Sequence, residues 1–237
     1  MYKAFILAAG LGTRMRPYTD HCPKPMVEVA GRSLIWRILD RLRDAGIPEA
    51  VVNLHYMADI LAKHLEEYSK LNPDFIIHLS FEDDILDTGG GIKNALHYFN
   101  DNEPFYVIAG DALWSDGDIS ALKTLARNWD GSKMDILTLM QPLDRMKITH
   151  GVGDYDLLDG GMVKRAHDKS GSHMWSNIRL NSVDIYKDIP EEKFSFLKIM
   201  DECEIKGRLM ALEYAGDWHH VSTPKDLKAV NESFANE

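Results

Sequence analysis

The chain has 237 residues, 45% of them hydrophobic, which suffices for one α/β domain with insertions or two small domains and argues against disorder. Its formal net charge of −10 excludes a general nucleic-acid or acidic-membrane surface, because such a chain repels phosphate. Cys22 and Cys203, the only two cysteines, match no metal spacing, and no apolar run approaches membrane-spanning length; the expectation is a soluble cytoplasmic protein with reduced thiols and no signal peptide.

The first predicted element is a short buried strand over residues 4–8, an apolar run that breaks into Gly10-Leu11-Gly12. Glycine adopts backbone angles closed to other residues, so consecutive N–H groups stand bare and form a concavity for phosphate oxygens. Arg14, Arg16 and Lys24 add positive charge beside it. A guanidinium grips a phosphate in two places, while a lysine acts as a mobile point charge. The composite reads as a nucleoside triphosphate cradle. The dinucleotide fingerprint is excluded because Met15 stands where Gly or Ala is required, and no Gly-Lys-Ser/Thr is placed as a P-loop demands. For Gly10-x-Gly12 alone, an ordinary strand-to-helix turn with solvated arginines is an equal reading; Pro23-Lys24-Pro25 and the arginines tip the balance.

Ser33 caps a predicted helix over residues 34–45, with Leu34, Ile38 and Leu42 on one face and Gly46 ending it. Strands follow at 50–54, 75–80, 105–109 and 135–140, alternating with helices at 58–68, 91–99 and 119–129. This rhythm implies parallel strands with right-handed crossovers, and ligands in such sheets sit beyond the carboxyl ends of the strands. The first and fourth strands both run into glycine-bearing motifs there. After Met140 the rhythm changes to predicted strands at 152–158, 162–167 and 178–186, read as a β-rich insertion folded over the sheet edge. A helix at 197–206, a strand at 209–214 and a closing helix at 224–234 complete the chain.

Asp111 sits just past a buried strand, after Gly110, which lets a ligand approach closely. A carboxylate there suits Mg²⁺, a hard ion that combines one or two carboxylates with substrate phosphates; a plain Gly-Asp turn is the alternative. Thr88-Gly89-Gly90-Gly91 is a second bare-backbone turn, leading into a helix whose amino end favours anions. Glu82, Asp83, Asp84 and Asp87 before it read as a solvated loop that would repel phosphate. Trp114 is expected to pack.

Leu7-Ala8-Ala9-Gly10-x-Gly12-Thr13-Arg14-Met15-Arg16-Pro17, followed by Pro23-Lys24-Pro25-Met26-Val27, closely resembles the signature of the sugar-phosphate nucleotidyltransferases. The resemblance continues through residues 87–92 and 110–114. It persists more weakly through Gly153-Asp154-Tyr155 and Trp218-x-x-Val221-x-Thr223-Pro224, so it spans nearly the whole chain. Among the branches it is most similar to the short bacterial enzymes that uridylylate N-acetylmuramate 1-phosphate in cell-wall recycling. The fold implied is α/β and Rossmann-like: a mostly parallel sheet flanked by helices, with the β-rich insertion on the sugar side. One domain over residues 1–237 is expected, with 1–140 serving the nucleotide and 141–237 the sugar. No room is left for the further carboxyl-terminal repeat domain of some bifunctional relatives.

The resemblance implies a nucleoside triphosphate, UTP first, and a sugar 1-phosphate as partners, in a monomer or homodimer, with Mg²⁺ as cofactor and Mn²⁺ as the alternative. In that reading a sugar phosphate oxygen attacks the α-phosphorus and pyrophosphate leaves, which needs positioning and charge neutralisation more than covalent help. Arg14 would hold the β- and γ-phosphates, Lys24 the α-phosphate and the attacking phosphate, and Asp111 the metal. Leu7, Ala8, Ala9, Gly10, Gly12 and Thr13 would bind the nucleotide through the backbone, joined by Glu82 and Gly90. Gly110, Asp111, Gly153, Asn177 and Arg179 would meet the sugar. Three departures stand out. His220 occupies the place of a second metal-binding carboxylate in many relatives, which leaves three outcomes open: metal held by Asp111 and phosphates alone, a water-bridged His220, or a preference for Mn²⁺. Asn177 and Arg179 stand where many relatives have Gly and Gln, and Arg179 could pair with a substrate carboxylate, an ordinary surface arginine being an equal reading. A guanylyl- or other hexose-1-phosphate nucleotidyltransferase is the near rival, and a non-catalytic sugar-nucleotide sensor the distant one.

Overall fold

Ala4, Phe5 and Ile6 are fully buried, and a strand apolar on both faces belongs inside a sheet covered on both sides. In the computed structural model, which describes residues 2–234, these residues form β1 (Ala4–Leu7). On one side β1 pairs in parallel with β2 (Glu49–Leu54), which pairs in turn with β3 (Ile76–Phe81). On the other side lies β4 (Phe105–Ala109), also parallel, in a register that sets Leu7 opposite Ala109. β1 and β4 therefore end on one rim, and the glycine loop and the Gly110-Asp111 turn leave it side by side.

Helices cover both faces. α1 (Leu34–Ala45) begins where Ser33 Oγ accepts the Trp36 N–H at 3.4 Å and ends at Gly46, whose φ of 81° is the left-handed conformation that glycine adopts freely. Its buried stripe of Ile35, Ile38, Leu39 and Leu42 packs in one core layer with Leu61 and Leu65 of α2 (Ala58–Leu71) and Leu122 and Leu125 of α4 (Ala121–Asn128). The opposite layer is built on α3 (Asp87–Asn94) and α5 (Leu197–Ile205). α6 (Pro224–Phe234) closes a third cluster that holds Met15 and Val27 behind the glycine loop. No helix among the described residues is long and apolar enough to cross a membrane.

α3 differs from the expected helix over 91–99. It starts at Asp87, encloses all three glycines and gives way to a 3₁₀ turn over Leu96–Tyr98. Glycine disfavours helix interiors, but here closeness decides: a Cβ at Gly89 would stand 2.2 Å from the Phe194 ring, and the Gly89 and Gly90 N–H groups both donate to the Phe194 carbonyl at 3.0 and 3.2 Å.

The second half corrects the expected topology. β6 (Ile136–Pro142) does not extend the parallel block beside β4. Instead β9 (His173–Asn181) lies between them, antiparallel to both, and β10 (Leu209–Glu213) pairs in parallel with β6 on its far side. The β-rich segment is thus partly built into the sheet rather than folded over its edge. The predicted strand over 178–186 is also displaced. Ser182 Oγ accepts the Asp184 N–H at 3.2 Å and turns the chain into a 3₁₀ segment, Val183–Tyr186. The other two insertion strands shrink to a hairpin of β7 (Tyr155–Leu157) and β8 (Val163–Arg165) around Asp159–Gly161. Finally, β5 (Leu113–Ser115) pairs with β11 (Asp217–His219), setting the buried Trp114 opposite Trp218. This ladder carries the 220–223 segment to the same rim as Asp111.

Candidate active site

A cleft of about 490 Å³ opens beyond the carboxyl ends of β1 and β4, lined by every residue from Leu7 to Met15. Gly12 lies at φ 62°, ψ 21°, and its carbonyl accepts from the Met15 N–H at 2.9 Å and from Thr19 Oγ1 at 2.8 Å. A Cβ there would approach Lys24 Cβ and Thr19 Cγ2 to 3.1 Å, so glycine is required for both angle and closeness. Gly10 takes no positive φ, against expectation. A Cβ on it would meet nothing within 4 Å, so its bare side is open to a ligand.

The floor of the cleft is a buried chain of hydrogen bonds that the sequence reading missed. The Ala8 N–H donates to Asn53 Oδ1 at 2.6 Å, Asn53 Nδ2 donates to Glu82 Oε1 at 2.7 Å, and Glu82 Oε2 accepts the Leu86 N–H at 3.0 Å. Asn53 and Glu82 are both buried. Two expectations change. Ala8 lines the cleft, yet its N–H is already taken. Glu82 also lines it, as a brace with both oxygens engaged. The only hint in the sequence was a polar Asn53 inside an otherwise apolar strand. Gly90 does not line the cleft; a Cβ there would strike the Glu192 carbonyl at 2.5 Å.

Positive charge is more selective than the sequence suggested. Arg16 turns outward to Asp20, 3.3 Å away. Arg14 is exposed on the cleft wall, and no side-chain partner binds it among the described residues. Lys24 is largely buried, and its Nζ rests on Asp111 Oδ2. Gly110 delivers Asp111 by packing rather than by facing a ligand. Its N–H donates to the Leu7 carbonyl at 2.8 Å, and a Cβ would meet that oxygen at 2.6 Å.

On the side of the insertion, Asn177 lines the cleft at φ 58°, within the irregularity where the β9–β6 register shifts between Trp175 and Arg179. Asparagine is among the few side chains that tolerate this region. Arg179 is a correction: it is neither a surface residue nor open to the cleft, but fully buried. Its guanidinium carbon lies 3.9 Å from the Phe196 ring centroid and 5.1 Å from that of Trp175. Burial lowers its pKa to about 10, and Tyr186 and Tyr155 favour its charge. Gly153 is also placed elsewhere. A Cβ on it would stand 1.7 Å from the Gly171 carbonyl oxygen, so its bareness serves a backbone crossing.

The carboxyl-terminal segment completes the rim. The Thr223 N–H and Oγ1 donate to Asp226 Oδ2 at 2.8 and 2.9 Å, a reciprocal cap with Pro224 behind it. This cap holds Ser222 in the cleft wall, buried, with its hydroxyl unpartnered among the described residues. Ser222 was not singled out from sequence. The His220 N–H donates to Thr149 Oγ1 at 2.9 Å. Burial pushes the His220 imidazole below its ordinary range; the charge of Asp111 raises it and those of Lys24 and Arg14 lower it further.

Residues 3–178 match the family model described as Nucleotidyl transferase. The chain belongs to this family. It is 35% identical over 235 residues to the N-acetylmuramate alpha-1-phosphate uridylyltransferase of Caulobacter vibrioides, a match covering 98% of this chain and 96% of that one. Among solved structures it is similar to HddC from Yersinia pseudotuberculosis, with 27% identity and a TM-score of 0.78 over 99% and 100% of the two chains. A UDP-glucose pyrophosphorylase solved with UDP-glucose shares the fold, with a TM-score of 0.79 at 17% identity over 100% of each chain. The nucleotidyl transferase is a sugar-1-phosphate enzyme, whose substrates are a nucleoside triphosphate and a sugar 1-phosphate.

Enzymes of this family typically use a divalent metal. Among the described residues of this nucleotidyl transferase, no three His, Cys, Asp or Glu side chains gather into a ready metal cage. A hard ion that draws most of its ligands from phosphate and water needs only one protein carboxylate. Asp111 fits that need, being partly exposed on the rim with one oxygen on Lys24. Glu82 does not fit, with both oxygens committed.

Proposed function

We propose that the enzyme transfers the uridylyl group of UTP to N-acetylmuramate 1-phosphate and releases pyrophosphate, in the recycling of cell-wall sugars. The observation that carries this reading is the match to the Caulobacter enzyme along almost the full length of both chains. In the reaction an oxygen of the sugar 1-phosphate forms the new bond to the α-phosphorus. The bond from that phosphorus to the β-bridging oxygen breaks, and the electron pair leaves with pyrophosphate.

In this proposal, Arg14 reaches the β- and γ-phosphates from the exposed wall. The Leu7–Thr13 loop offers its free backbone groups and the open side of Gly10 to the nucleotide. Lys24 begins on Asp111 and, as substrates enter, exchanges that carboxylate for the α-phosphate and the attacking phosphate. Asp111 is then released to hold Mg²⁺, or Mn²⁺ in its place, which would neutralise charge on the phosphate oxygens. The Ser222 hydroxyl is available to hydrogen-bond a substrate at the same rim. Little covalent chemistry is asked of the protein, and electrostatic positioning carries the rate.

The test is a matrix of four nucleoside triphosphates against several sugar 1-phosphates, read by pyrophosphate release. UTP with N-acetylmuramate 1-phosphate should give the highest kcat/KM. A best pair of GTP with a hexose 1-phosphate would overturn the substrate assignment, and no turnover with any pair would overturn the reaction.

A further inference from the structure

Arg179 is a charge without an answering charge. It is completely buried, and its Nε and Nη2 find no hydrogen-bond partner among the described residues. Its side-chain hydrogen bonds are with neutral groups, Nη1 to Asn177 Oδ1 at a long 3.4 Å and a further one with Tyr186. The titratable groups that act on it are Tyr186 and Tyr155, and no carboxylate among the described residues pairs with it. Buried cations are ordinarily paired. A core position filled by Phe196, Trp175 and Tyr186 would be served better by methionine or leucine if packing were its purpose. An anion from outside the chain would satisfy the donors left open at Nε and Nη2.

Asn177 shows where that anion would enter. It is the residue between Arg179 and the cleft: it lines the cleft wall, and its amide oxygen is what Nη1 touches. A carboxylate oxygen taking the place of that amide would make a shorter, charge-assisted bond, and a guanidinium offers further donors to its second oxygen. The cleft already has Arg14 and Lys24 for phosphate. A further buried cation on the insertion side points to a second kind of acidic group on the same substrate.

We infer that Arg179 is the receptor for a carboxylate on the acceptor: the buried guanidinium exchanges the Asn177 amide oxygen for the carboxylate of an acidic sugar 1-phosphate and so selects it over its neutral counterpart. The inference rests on the proposed acceptor, whose lactyl ether ends in a carboxylate.

The experiment compares kcat/KM for N-acetylmuramate 1-phosphate and N-acetylglucosamine 1-phosphate, with saturating UTP, in wild type, Arg179→Met and Arg179→Lys. Wild type should favour the acidic acceptor. In Arg179→Met the acid-to-neutral ratio should fall about 10- to 100-fold, the size of lost charge-assisted hydrogen bonds, with Tm unchanged or raised. Arg179→Lys should fall between, since a lysine keeps the charge and loses the fork. Should Arg179→Met not fold, wild type tested with the acceptor carboxylate converted to its amide gives the same comparison, and the amide should lose the advantage. A ratio retained in Arg179→Met, or an amide used as well as the acid, overturns the inference and leaves the proposed function standing. A wild type that does not favour the acidic acceptor overturns both, and that failure is read before any variant is made.

Discussion

The two sides of the cleft were built under different constraints. On the nucleotide side, short parallel strands end abruptly at one rim, and a glycine loop wraps a lysine stem so closely that a Cβ at Gly12 would press on it at 3.1 Å. On the insertion side, a nine-residue antiparallel strand, β9, is threaded between β4 and β6. Its one irregularity throws Asn177 into the cleft and buries Arg179 behind it. Backbone geometry dominates the first side and buried side-chain chemistry the second. The difference teaches that a loop whose parts are close in sequence is written locally, whereas the opposite wall, where we propose that the acceptor is chosen, depends on strands paired across the fold.

The largest expected effect falls on the nucleotide side. Lys24→Ala should lower kcat about a hundredfold or more, the usual size of one lost electrostatic donor at a reacting centre, and steady-state pyrophosphate release measures it. An unchanged kcat would remove Lys24 from the chemistry and leave its contact with Asp111 as a plain ion pair. Next comes the brace beneath the loop. Asn53→Ala strands the buried Ala8 N–H and Glu82 Oε1, so unfolding free energy should drop by about 2–4 kcal/mol in a urea titration. A drop under about 0.5 kcal/mol would show that water replaces the amide and that the floor is not held this way.

Gly12→Ala should cost about 1–2 kcal/mol from the left-handed backbone angle and should also lower kcat, because the added methyl presses on the Lys24 stem. Loss of stability without loss of rate would separate the loop from the lysine it is said to position. The smallest effect is a matter of pH. Burial holds the His64 imidazole below its ordinary range, Glu67 and Glu28 opposing and Arg32 reinforcing; the ring stacks on Trp36 at 4.6 Å, and its Nε2 lies 2.8 Å from Ser33 Oγ. The unfolded chain takes up this proton near pH ~6.5, before the folded chain does. The contribution of His64 is thus full above that region and is lost as pH falls through and below it. His64→Gln should reduce the slope of stability against pH there, and an identical slope would assign the acid sensitivity to other groups.

Much of the first half was legible because period and punctuation coincide. Leu34, Ile38 and Leu42 recur at helical spacing between Ser33 and Gly46, and α1 matches the expected bounds. The triphosphate loop was legible because its glycines and basic residues are close in sequence. Asn53 and Glu82 were not, since their partnership joins neighbouring strands 29 residues apart. β9 was misplaced because its first half, His173 to Asn177, pairs with a strand more than thirty residues away, and nothing local says that the chain is already extended there. Arg179 was legible as a departure in residue type but not in burial, because its aromatic cover comes partly from Phe196, a distant segment. Gly89, Gly90 and Gly153 were expected to face ligand, whereas the groups close to them are other parts of the chain.

The division of labour between the two sides is tested most directly by one steady-state comparison: wild type, Lys24→Ala and Arg179→Met, each with UTP and both the acidic and the neutral acceptor. Lys24→Ala should lower kcat for both acceptors by a similar factor and leave their ratio in place, whereas Arg179→Met should collapse the ratio. Parallel losses on both acceptors in both variants would contradict the account, because the two sides of the cleft would then act as a single undivided site.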